Sequence, residues 1–262
     1  MHATPAVGVH LRTWRQRRHL SQLDLASEAD ISTKHLSFVE TGRSQPSRDM
    51  LLRLAHHLGI PLRDQNQMLQ AAGFAPQFSS GPLERKDAAA ARRTIDLLLN
   101  AHEPFPALAI DRHWNLVASN GALQPLLQAV APYLLEAPIN VVRASLHPDG
   151  LAPMILNYVE WRGHLIDRLQ CQFDQTADTV IADLLTEIRA YPISEAARQF
   201  PGTNRGLDYA IAIPLVIRLG DMELRFISTT TVFGTPTDVT LSELAIETFF
   251  PADEATLKVL TG

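Results

Sequence analysis

The sequence predicts an α+β protein with a helical N-terminal domain and a C-terminal domain in which helices accompany an antiparallel sheet. Five helical segments with start and stop signals follow one another before residue 75. The stretch "APQFSSGPLERK" then combines prolines, serines and a glycine, as domain boundaries often do. Two long β runs joined near Gly220–Asp221 come late in the chain. We therefore expect one domain at 1–75, a linker and connecting helix at 76–103, and a second domain at 104–262.

The run "SQLDLASEADISTKHLSFVETGRSQPS" predicts two short helices joined by a turn of a few residues. Ser21 and Asp24 have the spacing of a capping box, and Ser32 repeats the start signal for the second helix. Leu36 and Val39 then share one face of that helix. Two helices in this arrangement form a helix-turn-helix, whose second helix can enter the major groove of DNA.

Helices on both sides complete this N-terminal pattern. Val7, Leu11 and Trp14 recur at helical spacing in "VGVHLRTWRQRRHL". Downstream, Ser47 caps "RDMLLRLAHHLGI", and Pro61 begins "PLRDQNQMLQAAGF". The whole pattern amounts to five helices in about seventy-five residues.

This N-terminal part resembles the lambda-repressor-like DNA-binding domain of the Xre family. The resemblance spans residues 6–74 and lies in "LRTWRQRRHLSQLDLA", "ISTKHLSFVETGRSQPS" and "LLRLAHHLGI". It implies a five-helix domain that binds double-stranded DNA. Asp30 stands where the family's turn usually has glycine, and His19 replaces another common glycine. Because aspartate tolerates a left-handed backbone better than most residues, we expect the turn to survive.

The surface expected to meet DNA consists of polar and cationic side chains around the second helix of the pair. The candidates for base edges are Thr33, Lys34, Ser37 and Phe38, and those for phosphates are Ser32 and Arg43. Gln22 could bond a phosphate or orient a neighbour. Arg15, Arg18 and Arg48 are expected to add affinity for DNA that does not depend on its base sequence. The alternative is an ordinary solvated face. Since one copy offers little surface, we expect a homodimer on a two-fold operator.

Charge and cysteine content narrow the class of protein. The chain carries a formal net charge of −5, with +3 over residues 1–80 and −8 over the remainder, so the positive part is the predicted DNA-binding part. Its single cysteine, Cys171, excludes an internal disulfide, and its apolar surroundings predict a buried residue. No apolar run approaches the roughly 20 residues that span a bilayer, and no signal peptide is recognised. We expect a cytoplasmic protein without a membrane partner.

The C-terminal part predicts strands at both ends and helices between them. "PALAIDRHWNLVASN" reads as two short strands, and "GALQPLL" as a short helix begun by Asn120. "GLAPMILNYVEWRGHLIDRLQCQF" and "ADTVIADLLTEIRAY" have helical periodicity. The residues of the first of these expected to face inward are Ile155, Val159, Leu165, Ile166 and Leu169. "LDYAIAIPLVIRLGDMELRFISTTTVFG" predicts a hairpin, "LAIETFF" a further strand and "ADEATLKVL" a closing helix.

This order of elements resembles a PAS-like sensor domain, and the C-terminal part resembles the MmyB-like ligand-binding domain that is often fused to Xre helix-turn-helix domains. The matching residues are "DRHWNLVASNGA", "NVVRASLHPDG", "EWRGHLIDRL" and "ISTTTVFGTPTDVTLSELAIETFFPAD", within residues 104–260. The resemblance implies a sheet and helices around an apolar cavity. Members of the family are regarded as ligand-responsive regulators, and a fatty acid has been seen in that cavity.

Candidate ligand contacts follow from this expectation, because ligand cavities are mostly apolar with a few polar anchors. The apolar candidates are Trp114, Leu116, Trp161, Leu165, Ile213, Leu215, Phe226 and Phe249. Each of these could instead simply fill the core. Arg143 and Arg162 could pair with a carboxylate, or serve as ordinary structural arginines. Tyr158 and His147 are weaker candidates.

Enzymatic and metal-dependent functions find no support in the motifs. The chain lacks G-x-G-x-x-G, a phosphate loop, G-x-S-x-G and H-E-x-x-H. One cysteine rules out a cysteine-based zinc cluster, and nothing marks His113, His147 or His164 as a haem ligand. We expect no catalytic residue, no metal and no cofactor.

The sequence thus predicts a regulator that binds double-stranded DNA and a small apolar or fatty-acid-like ligand. Ligand binding would act on the DNA-binding domains through the helix predicted at Leu83–His102. One alternative is a DNA-binding protein whose second domain only dimerises or recruits a partner protein. Another is an enzyme with an appended DNA-binding domain, although no catalytic constellation supports it.

Overall fold

The computed structural model of the chain describes residues 7–81, 89–199, 212–234 and 238–262. These residues form two compact units. One unit holds residues 7–81 and 238–242, and the other holds residues 89–199, 212–234 and 243–262. No described helix is both long enough and apolar enough to cross a membrane.

Helices and strands follow one another in an α+β order. The helices are α1 (Val7–Arg17), α2 (Gln22–Glu28), α3 (Thr33–Glu40), α4 (Arg48–His57), α5 (Leu62–Ala71), α6 (Ala89–Ala101), α7 (Gln124–Gln128), α8 (Val141–Leu146), α9 (Tyr158–Thr176), α10 (Thr179–Ala190), α11 (Glu195–Gln199), α12 (Val239–Ser242) and α13 (Glu254–Thr261). The strands are β1 (Ala107–Ile110), β2 (Leu116–Ser119), β3 (Leu215–Leu219), β4 (Met222–Val232) and β5 (Ala245–Pro251). The predicted α+β class is confirmed.

The helix starts of the first unit are fixed by the predicted caps. Ser21 Oγ accepts from the backbone N–H of Asp24 at 3.1 Å, and the Asp24 carboxylate accepts from the Ser21 N–H at 2.9 Å, which completes the capping box. Ser32 and Ser47 cap α3 and α4 through their hydroxyl oxygens. Each cap satisfies a backbone donor that the helix itself leaves unpaired, so these short helices begin at defined residues.

Two turns of the first unit use a left-handed backbone without glycine. Asp30, in the turn between α2 and α3, has φ of 52°, and His19, before α2, has φ of 55°. These are the two positions where the sequence departs from the family's glycines. The predicted survival of the α2–α3 turn is therefore confirmed, with a left-handed aspartate in place of glycine.

The core of the first unit forms where α1 to α5 meet. Its fully buried members include Leu11, Leu25, Leu36, Leu54 and Met68, one from each helix. Residues 238–242, which lie between β4 and β5 in the sequence, also belong to this unit. The backbone N–H of Val239 donates to the Ser79 carbonyl at 2.8 Å, and the Val239 side chain is buried.

The second unit is built on one antiparallel sheet with strand order β2-β1-β5-β4-β3. Ala109 of β1 pairs with Ile246 of β5, and Thr229 of β4 pairs with Thr248 of β5. The two N-terminal strands, the hairpin and the last strand all lie where the sequence predicts them. The predicted start of the hairpin, at 207–211, lies outside the described residues, as does the start of the predicted connecting helix, at 83–88.

The helices α9 and α10 share a core with the sheet. Trp161, Leu165 and Leu169 of α9 are buried in it, four residues apart along one face. The predictions for two other residues of this helix are wrong, since Val159 is 44% exposed and Cys171 is exposed. Val159 and Cys171 lie away from the face of α9 that carries the three buried residues. The apolar composition of the segment did not show which face of the helix is buried.

Asn120 has a structural role that differs from the predicted helix cap. It precedes the short helical turn at Gly121–Leu123, but its side chain makes no capping bond. Instead its carbonyl oxygen accepts from the Ala107 N–H at 3.0 Å, and its amide donates to the Phe105 carbonyl at 2.7 Å. The buried side chain thus fixes the start of β1.

Candidate DNA-binding surface and ligand cavity

The exposed face of α3 presents an aromatic ring flanked by two cations. Lys34 Nζ lies 5.7 Å from the centre of the Phe38 ring, and the Arg43 guanidinium carbon lies 5.9 Å from it. Cation–π attraction at these distances holds both side chains near one position on the surface. Lys34 and Arg43 are exposed, so their charges remain available to a phosphate or a base edge.

The remaining polar candidates around α3 are partly occupied by the fold. Thr33 and Ser37 are half-buried. Ser32 Oγ accepts from the His35 N–H at 3.1 Å, which leaves its hydroxyl proton to donate. Arg48 is half-buried in the first turn of α4. The structure therefore exposes Lys34, Arg43 and Ser32, with the half-buried Phe38 ring between the two cations.

Arg15 does not face solvent, so its expected role at DNA phosphates needs correction. Its Nε donates to Glu40 Oε1 at 2.6 Å, its Nη2 donates to Glu40 Oε2 at 2.9 Å, and its Nη1 donates to the Leu20 carbonyl. Gln22 Nε2 also donates to Glu40 Oε2, at 2.8 Å. Arg15 and Gln22 thus hold α1 and the start of α2 against the end of α3. The hydrogen bonds and charge of Glu40 raise the pKa of Arg15.

Arg18 is likewise engaged within the first unit. Its Nε donates to the Leu58 carbonyl at 2.8 Å, and its Nη2 donates to the Gly59 carbonyl at 3.1 Å. Its guanidinium also lies 5.3 Å from the centre of the Trp14 ring. A cation at these carbonyls completes the C-terminal end of α4, so the role expected for Arg18 at phosphates is revised to a structural one.

The second unit contains an apolar cavity of about 90 Å³. It lies between the sheet and the helices that cover it. Its lining residues are Leu108, Trp114, Leu123, Leu126, Leu127, Val130, Ile139, Val141, Val142, Ala144, Ser145, Leu151, Trp161, Leu165, Arg168, Leu215, Glu247 and Phe249. Ligand pockets commonly combine such apolar walls with a few polar groups, but they are larger, at roughly 300–1,000 Å³. The cavity therefore has the apolar lining of a ligand pocket but a smaller volume.

The charged part of the cavity wall is an ion pair between Arg168 of α9 and Glu247 of β5. Arg168 Nη2 donates to Glu247 Oε1 at 2.5 Å, and Arg168 Nη1 donates to Glu247 Oε2 at 3.2 Å. Thr230 of β4 accepts from Arg168 and donates to Glu247. The Arg168 guanidinium lies 4.6 Å from the centre of the Trp114 ring. One charge of each sign is thus held in a fixed place beside apolar walls.

Trp114 occupies an unusual backbone position in the turn between β1 and β2. Its φ is 65°, a left-handed conformation that is a genuine outlier for a bulky residue. Its indole N–H donates to Gln172 Oε1 at 2.8 Å, and its backbone carbonyl accepts from the Val141 N–H. Strain of this kind, of order 1–3 kcal/mol, persists only where surrounding contacts hold it. Here those contacts place the indole in the cavity wall.

The predicted ligand contacts divide into two groups. Those that line the cavity are Trp114, Trp161, Leu165, Leu215 and Phe249. Those placed elsewhere are Leu116, Arg143, Tyr158, Arg162, Ile213 and Phe226. Phe226 is buried in the core beside Phe249, and Ile213 is 38% exposed. The division shows that apolar character alone did not separate cavity residues from core residues.

The polar candidates placed elsewhere have protein partners. Arg143 forms a bidentate pair with Glu187, with Nη2 to Oε2 at 2.7 Å. Arg162 Nη2 donates to the carbonyls of Ile188 and Arg189. Tyr158 donates its hydroxyl to the Leu146 carbonyl at 2.9 Å. The expectation that either arginine anchors a carboxylate in the cavity is corrected, because both are used to join helices.

Sequence reasoning missed Arg168 and Glu247. Arg168 follows Trp161 and Leu165 at helical spacing, so it lies on the same face of α9 as two predicted cavity residues. Glu247 is two residues before Phe249 on β5, hence on the same side of the strand. These two spacings were available in the sequence, but the pairing of residues so far apart was not.

Burial perturbs one histidine next to the cavity. His164 follows Trp161 by one helical turn, and the two rings lie 5.5 Å apart. Burial, aided by the charge of Arg168, lowers the pKa of His164 from its usual value. Among the described residues, no group of three or more His, Cys, Asp or Glu side chains could hold a metal ion.

Two family models match successive parts of the chain. A family model described as "MmyB-like transcription regulator ligand binding domain" matches residues 91–261, and one described as "Helix-turn-helix" matches residues 11–65. The resemblances to an Xre-like helix-turn-helix domain and to the MmyB-like ligand-binding domain are thereby confirmed. The matched families consist of transcription regulators and not of enzymes.

Two individual proteins are similar to parts of this chain. The HTH-type transcriptional regulator DdrOP3 of Deinococcus deserti is 40% identical over 73 residues, which cover 28% of this chain and 54% of that protein. The chain thus spans about half the length of this curated relative. The solved structure of the clp gene regulator ClgR from Corynebacterium glutamicum is 26% identical and covers 37% of this chain and 90% of that chain, with a TM-score of 0.23. That score is too low to support a likeness of fold.

Proposed function

The chain belongs to the family of the MmyB-like transcription regulator ligand binding domain, and we propose that it regulates transcription in response to a small apolar or amphipathic molecule. In this proposal the first unit binds an operator in double-stranded DNA. The second unit binds the effector, a fatty acid or a derivative of one, in the apolar cavity. The cytoplasmic location and the PAS-like character of the second unit remain predictions within this proposal.

The observation that carries the effector part is the apolar cavity with a single ion pair in its wall. At about 90 Å³ it is smaller than an engineered apolar cavity of about 150 Å³ that binds benzene. A long acyl chain therefore enters only if lining side chains move. Leu127, Val141 and Leu151 are among the lining residues that are only partly buried, so their side chains have room to move. Effector binding would thus change the packing of the helices above the cavity.

The DNA-binding part rests on the exposed cations Lys34, on α3, and Arg43, just beyond it, which flank the half-buried Phe38 ring. One helix in one major groove gives few base contacts. We therefore expect a homodimer whose α3 helices meet two half-sites about one helical turn, roughly 34 Å, or a multiple of it apart. Base contacts would come from Lys34 and its neighbours, and phosphate contacts from Arg43 and Ser32.

Regulation requires that the effector bind one arrangement of the protein more tightly than another. Helix α6 enters the second unit from the linker side and packs on β1 and β2. It buries Ile95 and Leu99 and exposes Leu97. In the proposed mechanism, repacking of the second unit changes DNA binding by the first unit through helix α6.

The alternative function is a DNA-binding regulator whose second unit serves only for dimerisation or recruits a partner protein. The exposed apolar residues Leu97 and Leu98 of α6 favour it, because apolar patches often mark protein contacts. In that case the cavity would stay empty in the purified protein and would accept no apolar probe.

Mass spectrometry of the purified protein separates these two functions. We expect a lipid to co-purify in a stoichiometric amount, visible under native conditions and released by denaturation and solvent extraction. The variant L127W adds bulk to the cavity wall and should lose the lipid, whereas L257W, on the exposed face of α13, should retain it. A wild-type protein that carries no lipid and binds no acyl probe would contradict the effector proposal.

A further inference from the structure

The two charged side chains of the cavity wall already neutralise each other. Glu247 receives hydrogen bonds from both terminal nitrogens of Arg168, at 2.5 and 3.2 Å, and a third from Thr230 at 2.8 Å. The Arg168 side chain is 25% exposed and the Glu247 side chain is 5% exposed, so solvent screens the attraction between them weakly. Burial and the charge of Arg168 lower the pKa of His164, which lies close to both charges, so a second cation is disfavoured there. The wall therefore carries no net charge.

A free carboxylate entering this cavity would meet an unfavourable balance of charge. If it paired with Arg168, it would place a second negative charge beside Glu247, and one of the two would lack a counter-ion. If it displaced Glu247, that side chain would be left buried without its partner. Burial of an unpaired charge is costly, and breaking a buried ion pair by removing one partner is strongly destabilising.

A neutral oxygen meets no such penalty. Arg168 has five N–H donors, of which the hydrogen bonds to Glu247 and Thr230 use three. The Ser145 hydroxyl, also in the lining, accepts from the Trp161 indole at 3.1 Å and can donate its own proton. A carbonyl, ester, amide or hydroxyl oxygen can accept from either group while the ion pair stays intact.

We infer that the cavity selects an uncharged amphipathic molecule, an apolar chain with an ester, amide, ketone or alcohol oxygen, over a free fatty acid. Glu247 is the residue that determines this specificity, because its negative charge already occupies the one cation of the wall. The inference rests on the proposed effector function and states which member of the acyl class the site takes.

The test compares three probes with the same chain, namely 1-dodecanol, methyl dodecanoate and dodecanoate. Binding to delipidated protein is measured by native mass spectrometry and calorimetry at about pH 8, where the carboxylate is ionised. The two uncharged probes should bind the wild type at least about tenfold more tightly than dodecanoate. In E247Q, where Arg168 loses its counter-ion, dodecanoate should bind at least about tenfold more tightly than it does to the wild type.

The matched control is E223Q, which removes the same charge from a surface pair with Arg225 on β4. In E223Q the three probes should bind with the same order of affinities as in the wild type. Dodecanoate binding to the wild type as tightly as the alcohol would overturn the inference and leave the proposed effector function standing. Failure of all three probes to bind would overturn both. The wild-type comparison decides the inference even if E247Q does not fold.

Discussion

Glu40, the last residue of α3, is bound by Arg15 of α1 through both carboxylate oxygens, at 2.6 and 2.9 Å. Its side chain is 1% exposed, and that of Arg15 is 10% exposed. Gln22 donates to the same carboxylate, so one buried group ties the end of α3 to both helices that support it. The orientation of the surface formed by Lys34 and Phe38 therefore depends on a contact on the opposite side of the helix.

Replacing Glu40 by alanine should destabilise the first unit. Arg15 would be left buried without its counter-ion, which typically costs about 3–5 kcal/mol. Hydrogen exchange of the α1–α3 amides in the full-length protein measures this locally. E28A, an exposed glutamate of α2, serves as the control and should behave like the wild type. Equal protection of α1–α3 in E40A and E28A would show that the ion pair does not stabilise the unit.

Gly8 allows α1 to approach the end of α3. A Cβ at this position would lie 2.3 Å from the Val39 carbonyl oxygen and 2.7 Å from that of Glu40. Because both obstacles are backbone atoms, G8A should force the helices apart and destabilise the unit by about 1–3 kcal/mol. Urea unfolding followed by Trp14 fluorescence, with W114F and W161F in the background, would measure the change.

The neighbouring residue provides the comparison for Gly8. Val9 is 52% exposed on α1, so V9A alters the surface of the same helix without changing its packing. We expect V9A to unfold at the same urea concentration as the parent protein. A G8A midpoint equal to that of V9A would mean that α1 does not pack as closely on α3 as the structure has it.

Lys34 should contribute directly to DNA binding. We expect K34A to weaken binding to a duplex selected by the protein from a random pool. A lost base contact would cost about 1–3 kcal/mol, and a lost phosphate contact would reduce the salt dependence by about one unit. Fluorescence anisotropy at several salt concentrations distinguishes the two contacts. K258A, an exposed lysine of α13, is the control. If K34A binds DNA with unchanged affinity, the assignment of α3 as the recognition helix is wrong.

His164 should make the second unit sensitive to mild acid. Burial and the charge of Arg168 lower its pKa in the folded state, whereas the unfolded chain has the usual value of about 6.5. Below that pH the unfolded chain takes up a proton that the folded chain resists, so the free energy of unfolding falls as the pH drops. Thermal unfolding of H164Q should therefore fall less steeply than the wild type between about pH 7 and pH 5.

Another histidine serves as the comparison for this pH dependence. His57 is exposed at the end of α4, so H57Q removes a titratable imidazole without removing a buried one. Its unfolding should follow the wild-type pH profile. Parallel pH profiles for H164Q and the wild type would show that the charged form of His164 is not disfavoured in the folded protein.

The helices of the first unit could be predicted because their signals are local. The capping box joins Ser21 and Asp24, which are only three positions apart, and the left-handed turn at Asp30 follows from the family pattern together with the tolerance of aspartate. The roles of Arg15 and Arg18 could not be predicted in this way. In the sequence, Arg15 on α1 and Arg18 just after it both look like surface cations. Their partners Glu40 and Leu58 lie 25 and 40 residues further along the chain.

The cavity was predictable in kind and not in detail. The family resemblance implies an apolar site, and periodicity places Trp161 and Leu165 in its wall. The ion pair between Arg168 and Glu247 joins residues 79 apart, and only the sheet and α9 together bring them into contact. Arg143 and Arg162 have the same chemistry as Arg168 in the sequence, and only tertiary packing separates their roles.

The central claim, that an effector in the second unit controls DNA binding by the first, is tested most directly by one titration. The selected duplex is titrated with delipidated wild-type protein, and again with protein saturated with whichever twelve-carbon probe binds best. The account predicts that the probe changes the dissociation constant for DNA by about 5- to 150-fold, the usual range of allosteric coupling. Equal dissociation constants with and without stoichiometrically bound probe would contradict it.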